Sequence, residues 1–277
     1  QFIVMGIATI LLIVANIIIS YKGFTNNLFF ESYRFDIEKI LVYKDYKRII
    51  TSAFLHANRT HLVFNMVTLF FFSSALEHYV GPFQFVLIYF AGLIGGEFLA
   101  LFIHRNHPDF TSIGASGAVS GIVFASIALM PYMTILFFLP AWLYGIIFII
   151  YSIYGIKSKK DNRGHESHLG GALIGMLTAL LLHPQAFSQN YIVILLLTVP
   201  AILFIYLIIS RPHLLLVDNF FSGSRKKNYT LDHKYNEERA NKQKDIDKIL
   251  DKIAKKGIKS LSSQEKQKLD AYSKTLK

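Results

Sequence analysis

Apolar residues are gathered into seven long runs, at 2–20, 62–79, 83–104, 116–130, 135–154, 169–183 and 191–209. A helix that crosses a bilayer needs about 20 mostly apolar residues, so the pattern predicts seven spans. The fourth and sixth runs are short and carry Gly117 and Gly121, and Gly170, Gly171 and Gly175. Small residues at that spacing suit helices packed inside a bundle, because they let backbones approach closely. The first and seventh runs, rich in Ile, Leu and Val, read as peripheral helices. The first has neither a basic leader nor a small-residue cleavage site, and is read as a retained span.

The connections differ on the two sides. Residues 21–61 form a long polar and aromatic segment, expected to pack at the membrane interface. Segments 105–113 and 155–167 lie on that same side, while 81–82, 131–134 and 184–190 are short turns on the other.

Composition agrees with a membrane protein: 53% of residues are hydrophobic and 14% aromatic. There is no cysteine, which excludes disulfides, thiolate metal sites and cysteine nucleophiles. The net charge of +11 is mostly a property of the tail: residues 211–277 hold 17 of the 29 Lys and Arg and 9 of the 18 Asp and Glu. The twelve basic residues outside that tail all fall on the long-loop side, which by loop charge is the cytoplasmic side.

Beyond residue 211 the chain is hydrophilic, and 212–244 reads as a linker. Ile246, Ile249, Leu250 and Ile253 then recur at helical spacing up to Gly257. Ser262 with Glu265 has the spacing of a capping box for a second short helix, so 245–277 is expected to be a helical hairpin.

Six polar side chains lie within or at the ends of the apolar runs: His61, Asn65, Glu77, Glu97, Ser116 and His168. Such groups are costly at membrane depth, and a functional reading follows where they converge. Ser116 opens the fourth run and His168 the sixth, and those two helices run in the same direction. His61 and Asn65 are one helical turn apart at the start of the second run, on one face. Four side chains from three helices therefore share one layer beneath the long-loop face.

Their chemistry is complementary. Serine needs a base within hydrogen-bond reach to act as a nucleophile, and His168 can be that base. The Asn65 amide, with His61 and the Ser116 backbone N–H, can stabilise an oxyanion. No Asp or Glu is placed as a third member, since Glu166 points elsewhere on the helix of His168. A Ser–His dyad is expected.

The segments HLVFNM at 61–66, GASGAVSG at 114–121 and HLGGALIG at 168–175, in that order on three spans, resemble the rhomboid intramembrane serine proteases. YKRIITSAFLH at 46–56 resembles the first-loop signature of that family, with Arg48 as its arginine, and Glu77 matches an acidic residue near the end of its second span. The resemblance covers roughly residues 44–184. It implies an all-α, polytopic helix bundle with a six-helix core, to which this chain adds a seventh span and a small helical tail. It further implies peptide-bond hydrolysis with Ser116 as nucleophile, His168 as general base and His61 with Asn65 at the oxyanion. Gly171 and Gly175 match the glycines that seat the sixth helix against the fourth, where Gly114, Gly117 and Gly121 surround the serine. Glu97 matches no family role. Two positions depart from the pattern. Ser120 stands where some relatives carry an aromatic against the catalytic histidine, which leaves open how His168 is held. Lys47 replaces a tryptophan before the loop arginine. Residues 249–274 resemble a short module appended to some bacterial rhomboids.

The domain reading is therefore 1–43 for the first span and start of the long loop, 44–184 for the protease core, 185–211 for the added span, 212–244 for the linker and 245–277 for the hairpin. The expected partners are transmembrane protein substrates and membrane lipid, not nucleic acid, with no cofactor or metal. The resemblance points to a bacterial inner membrane and to a long-loop face outside the cell, against the loop charge. An inactive relative that binds transmembrane clients is the alternative, but such a relative has usually lost the serine or the histidine. A transporter would show duplicated or broken spans. HESH at 165–168 is not the HExxH of a metalloprotease, and no intramembrane aspartate pair exists.

Overall fold

A computed structural model describes residues 5–135, 138–158 and 164–210, with 249, 252, 253, 261, 262, 265 and 269 in the tail. The chain divides into two units, Gln1–Gly223 and Ser224–Lys277. The first is an all-α, polytopic helix bundle of the membrane type. Three of its helices, α1 (Ile7–Thr25), α6 (Pro82–His104) and α10 (Gln185–Ser210), are long and apolar enough to cross a bilayer. Between α1 and α6 lie short helices α2 (Asn27–Tyr33), α3 (Ile37–Leu41) and α4 (Arg48–Thr51), then the long α5 (Arg59–Val80). Helices α7 (Ser116–Leu129), α8 (Ala141–Ser158) and α9 (His165–Leu182) complete the core.

Local chemistry sets the helix ends. Asn58 caps α5 by accepting the backbone N–H of His61. Gly81, at φ 81°, ends α5 and hands directly to Pro82, the first residue of α6. The start of α1 has no side-chain cap of its own. Glu77 of α5 supplies it, accepting Ala8 N–H and Thr9 N–H at 2.9 Å and the Thr9 hydroxyl at 2.6 Å. A carboxylate at a helix N-terminus meets unsatisfied N–H groups and the positive end of the helix dipole. This pins the peripheral helix to the core.

The centre is α7, every residue of which is buried. At 1.5 Å per residue its 14 residues reach about 21 Å, short of the roughly 30 Å apolar layer. The chain therefore enters the bundle in extended form before the helix begins. Helices α6 and α9 clasp α7 through glycine. A Cβ at Gly92 would lie 3.0 Å from Gly121 Cα. One at Gly171 would overlap the Gly117 carbonyl, and one at Gly175 the Gly121 backbone.

Several element boundaries differ from the hydropathy pattern: α1 runs Ile7–Thr25 instead of 2–20, α5 starts at Arg59 instead of 62, and α8 extends to Ser158 instead of 154. The fifth helix begins at Ala141, not 135, because β3 (Thr134–Ile135) folds back on β4 (Leu139–Pro140) as a small antiparallel pair. Hydropathy cannot separate an apolar hairpin from an apolar helix. Helix α9 starts at His165, a turn earlier than 169, behind Gly164 in the left-handed region at φ 62°. Helix α10 starts at Gln185 instead of 191 and bends at Asn190, whose amide donates to the Ala128 carbonyl of α7 at 2.9 Å.

The long loop is stapled to the core. Strand β1 (Phe35–Asp36) pairs antiparallel with β2 (Thr111–Ser112), the strand leading into α7. Arg48 is buried, donates to the Glu31 and Arg34 carbonyls at 2.9 Å, and pairs with Asp45 at 2.9 Å. Its planar fork suits several acceptors at once. Lys47 stays exposed, 5.7 Å from the Tyr33 ring.

In the second unit, Ile249 and Leu261 are buried, with Ile253 and Leu269 against them. Ser262 Oγ accepts Glu265 N–H at 3.2 Å and Glu265 accepts Ser262 N–H at 2.7 Å, the reciprocal bonds of a capping box. The Lys252 ammonium, 2.8 Å away, and those capping bonds hold the Glu265 carboxyl down at about 2. The linker 212–244 and Gly257 lie outside the described residues.

Candidate active site

Helices α5, α7, α8 and α9 line a half-open cavity of about 570 Å³. Ser116, His168, His61 and Asn65 all line it, so the structure brings these four together from three helices. Phe64, Val119, Ile147 and Phe148 make its apolar wall, while Asn58, Thr60, Thr68, Tyr144 and Tyr151 bring polar groups to it. Glu97 and Glu77 are buried elsewhere and do not line it.

Ser116 is the first residue of α7. The first N–H groups of a helix have no partner within it and face outward, and here that end meets the cavity. Gly114 makes the approach possible. Its φ of 130° is one that a side chain resists, and a Cβ there would lie 2.7 Å from the His61 ring. The Asn65 amide nitrogen donates to the His61 carbonyl at 3.0 Å and carries a second N–H.

His168 is 5% exposed, in the first turn of α9. Among the described residues, α8 brings Ser152 Oγ to 3.5 Å from Nδ1 and the Phe148 ring to 5.6 Å from the imidazole. His165, one turn earlier on α9, meets it edge-on at 5.0 Å. Glu166 faces α6 instead, 3.3 Å from His104 Nε2, which in turn stacks on Phe110 at 3.6 Å. The serine at position 120 does not reach His168; its hydroxyl donates to the Ser116 carbonyl.

His56, quoted in the first-loop motif without a role, proves to be part of the support. Ser20 of α1 donates to the Phe54 carbonyl at 2.9 Å, and His56 Nδ1 lies 2.8 Å from that hydroxyl. With the hydroxyl proton committed, Nδ1 is the donor and Nε2 the acceptor, meeting Ala115 N–H at 3.5 Å. Gly114 N–H donates to the Ser52 carbonyl at 3.2 Å. The loop before α5 thus holds Gly114 and Ala115, the two residues that carry Ser116.

Burial, and next to it the His61 imidazole, pushes His56 down from 6.5 to about 3. The folded chain therefore refuses a proton that the unfolded chain accepts between those values. Stability from this group is complete above pH 6.5 and is lost as pH falls towards 3, by at most about 1.4 kcal/mol per pH unit. Thermal unfolding between pH 6.5 and 5 is expected to show a shallower pH slope for His56→Gln than for the wild type. Equal slopes would remove His56 as the source.

Sequence reasoning passed over Ser20, His56, Ser152 and His165. Ser20 and Ser152 are fully buried polar residues in apolar runs, the same signal that singled out Asn65 and Ser116. His56 and His165 carry no such signal, since they lie in connecting segments.

A polytopic helix bundle whose buried central helix presents a serine to an imidazole- and amide-lined cavity defines the class as an integral, multi-pass membrane protein. The rhomboid domain family model matches residues 43–185, and the chain belongs to the rhomboid family. RHOMBOID-like protein 12, mitochondrial, of Arabidopsis thaliana is 37% identical over 150 residues, 47% of this chain and 44% of the relative. Rhomboid protease AarA of Providencia stuartii is 31% identical over 159 residues, 49% of this chain and 56% of the relative. Rhomboid protease GluP of Bacillus subtilis is 31% identical over 162 residues, 57% of this chain and 31% of the relative. The chain spans about half the length, or less, of these curated relatives. A family of unknown function (DUF6576) matches residues 229–275.

Proposed function

We propose that this chain is an intramembrane serine endopeptidase that cleaves transmembrane segments of other proteins by a Ser–His dyad. The observation that carries the reading is the shared cavity: Ser116 and His168, far apart in sequence, line it together with His61 and Asn65. In the proposed reaction His168 takes the Ser116 hydroxyl proton as the oxygen attacks the scissile carbonyl. The Asn65 amide, His61 and the N-terminal N–H groups of α7 stabilise the oxyanion. His168 then protonates the leaving amine, and water repeats the sequence on the acyl-enzyme. The apolar wall accepts substrate from the lipid side.

A fluorophosphonate probe is expected to label the purified protein, with peptide mapping placing the label on Ser116. Equal labelling of the Ser116→Ala protein would overturn the assignment.

The proposed setting is a bacterial cell membrane with the long-loop face outside the cell. After seven spans the tail is on that same side. An alkaline phosphatase reporter fused after Lys277 is then active and a fluorescent-protein reporter dark. The opposite pattern would put the site on the cytoplasmic face, as the loop charge alone suggests.

A further inference from the structure

We propose that Ser152 of α8 is the positioning residue for His168, accepting its Nδ1–H and so fixing the tautomer in which Nε2 is the basic nitrogen. The proposal rests on the serine protease reading above. It adds to the dyad a support on a helix that contributes no reacting group.

Three observations converge on Ser152. It is fully buried in α8, where a hydroxyl without an acceptor or donor is costly. Serines and threonines within helices usually satisfy themselves on the carbonyl four residues back. Ser74, Ser120, Ser126, Thr178 and Thr198 do so here. Ser152 Oγ lies opposite His168 Nδ1, a pair in which either atom can donate, and the dyad reading, in which Nε2 takes the Ser116 proton, makes Nδ1 the donor. Its separation of 3.5 Å is long, as catalytic contacts often are before substrate binds, and closes with a small shift of either helix.

The second observation is the shape of the face around it. Phe148, Ser152 and Gly155 lie at i, i+4 and i+7 on α8, one stripe directed at α9. Phe148 packs against the His168 ring. A Cβ at Gly155 would overlap the His165 ring, and Tyr151 meets that ring at 5.3 Å. The stripe thus seats both imidazoles of α9, with the single hydroxyl opposite the one that lines the cavity.

The third is that two other candidate supports among the described residues, Ser120 and Glu166, are engaged elsewhere. The Ser120 hydroxyl turns back to its own helix, and Glu166 faces His104 on α6. Among the described residues, the titratable groups that touch the His168 ring or share its cavity are His165 of α9, Tyr144 and Tyr151 of α8 and His61 across the cavity on α5. None of these supplies a fixed negative charge. A neutral hydroxyl at Nδ1 orders the tautomer without raising the proton affinity of the ring as a carboxylate would.

The test is the rate of fluorophosphonate labelling at Ser116 as a function of pH, in proteoliposomes, with thermal unfolding measured on each variant. Ser152→Ala is expected to lower the plateau rate about tenfold with little change in unfolding temperature, because the ring then populates both tautomers. Ser152→Thr, which keeps the hydroxyl, is expected to restore most of the rate. Ser152→Asp is expected to move the midpoint of the pH profile up by about one unit or more, since a carboxylate beside Nδ1 stabilises the imidazolium. Wild-type rate and profile in Ser152→Ala would overturn the proposal. So would equal losses in Ala and Thr variants that track a fall in unfolding temperature, which would mark Ser152 as packing only. Absence of labelling in the wild-type protein would instead sink the protease reading itself.

Discussion

Replacing either Ser116 or His168 by alanine is expected to lower cleavage of a transmembrane substrate by at least about 10³-fold, and replacing both to lower it no further. Nucleophile and base act as one unit, so removing one leaves the other with nothing to do, and the effects do not add. Both side chains border a cavity, and although the His168 ring also packs on Phe148, neither is wedged against backbone as Gly171 is. Truncation should therefore leave unfolding temperature nearly unchanged. Asn65→Ala is expected to cost less, on the order of 10²-fold, because one donor among several is lost from the oxyanion. Initial rates in proteoliposomes for the two single variants, the double variant and Asn65→Ala check the pattern. Additive losses for Ser116→Ala and His168→Ala would mean that the two do not work on the same proton.

Gly171→Val is expected to damage both stability and activity without touching a reacting group. A Cβ at this position overlaps the Gly117 carbonyl of α7, and backbone cannot swing aside as a long side chain can. Overpacking of this kind costs about 1–3 kcal/mol even where the neighbours adjust, and a branched residue sits at the upper end. The adjustment available is separation of α9 from α7, the two helices that carry His168 and Ser116. A displacement of about 1 Å between reacting groups is enough to lower a rate about 10²-fold. Turnover per folded molecule, obtained by normalising cleavage to the protein remaining after a mild thermal step, should therefore fall as well. Gly171→Ala should fall between wild type and valine on both measures. If valine lowered stability alone, the glycine contact would be a matter of packing and not of site geometry.

Much of this protein is local information. Runs of apolar residues and their punctuation (Pro82 after Gly81, Asn58 before α5) locate the helices, because burial and capping act over a few residues. Helix ends move by up to six residues, and residues 135–140 change element type, because an apolar hairpin and an apolar helix share the same composition. The glycine spacing of the fourth and sixth runs marks helices destined for close contact, since only a missing Cβ allows it. Ser116, His168, His61 and Asn65 are singled out by the cost of placing polar groups in an apolar run.

Which faces meet is a different matter, and only the tertiary structure decides it. That Glu166 turns to His104 while His168 turns to α8 follows from a rotation of about 100° per residue around α9, measured against neighbours that are remote in sequence. Ser20, His56 and Ala115 come from three separate segments, and their hydrogen bonds exist only once α1 is docked by Glu77. A periodic pattern tells which side of a helix avoids lipid. It does not say which partner waits there, because that is set by the packing of the whole bundle.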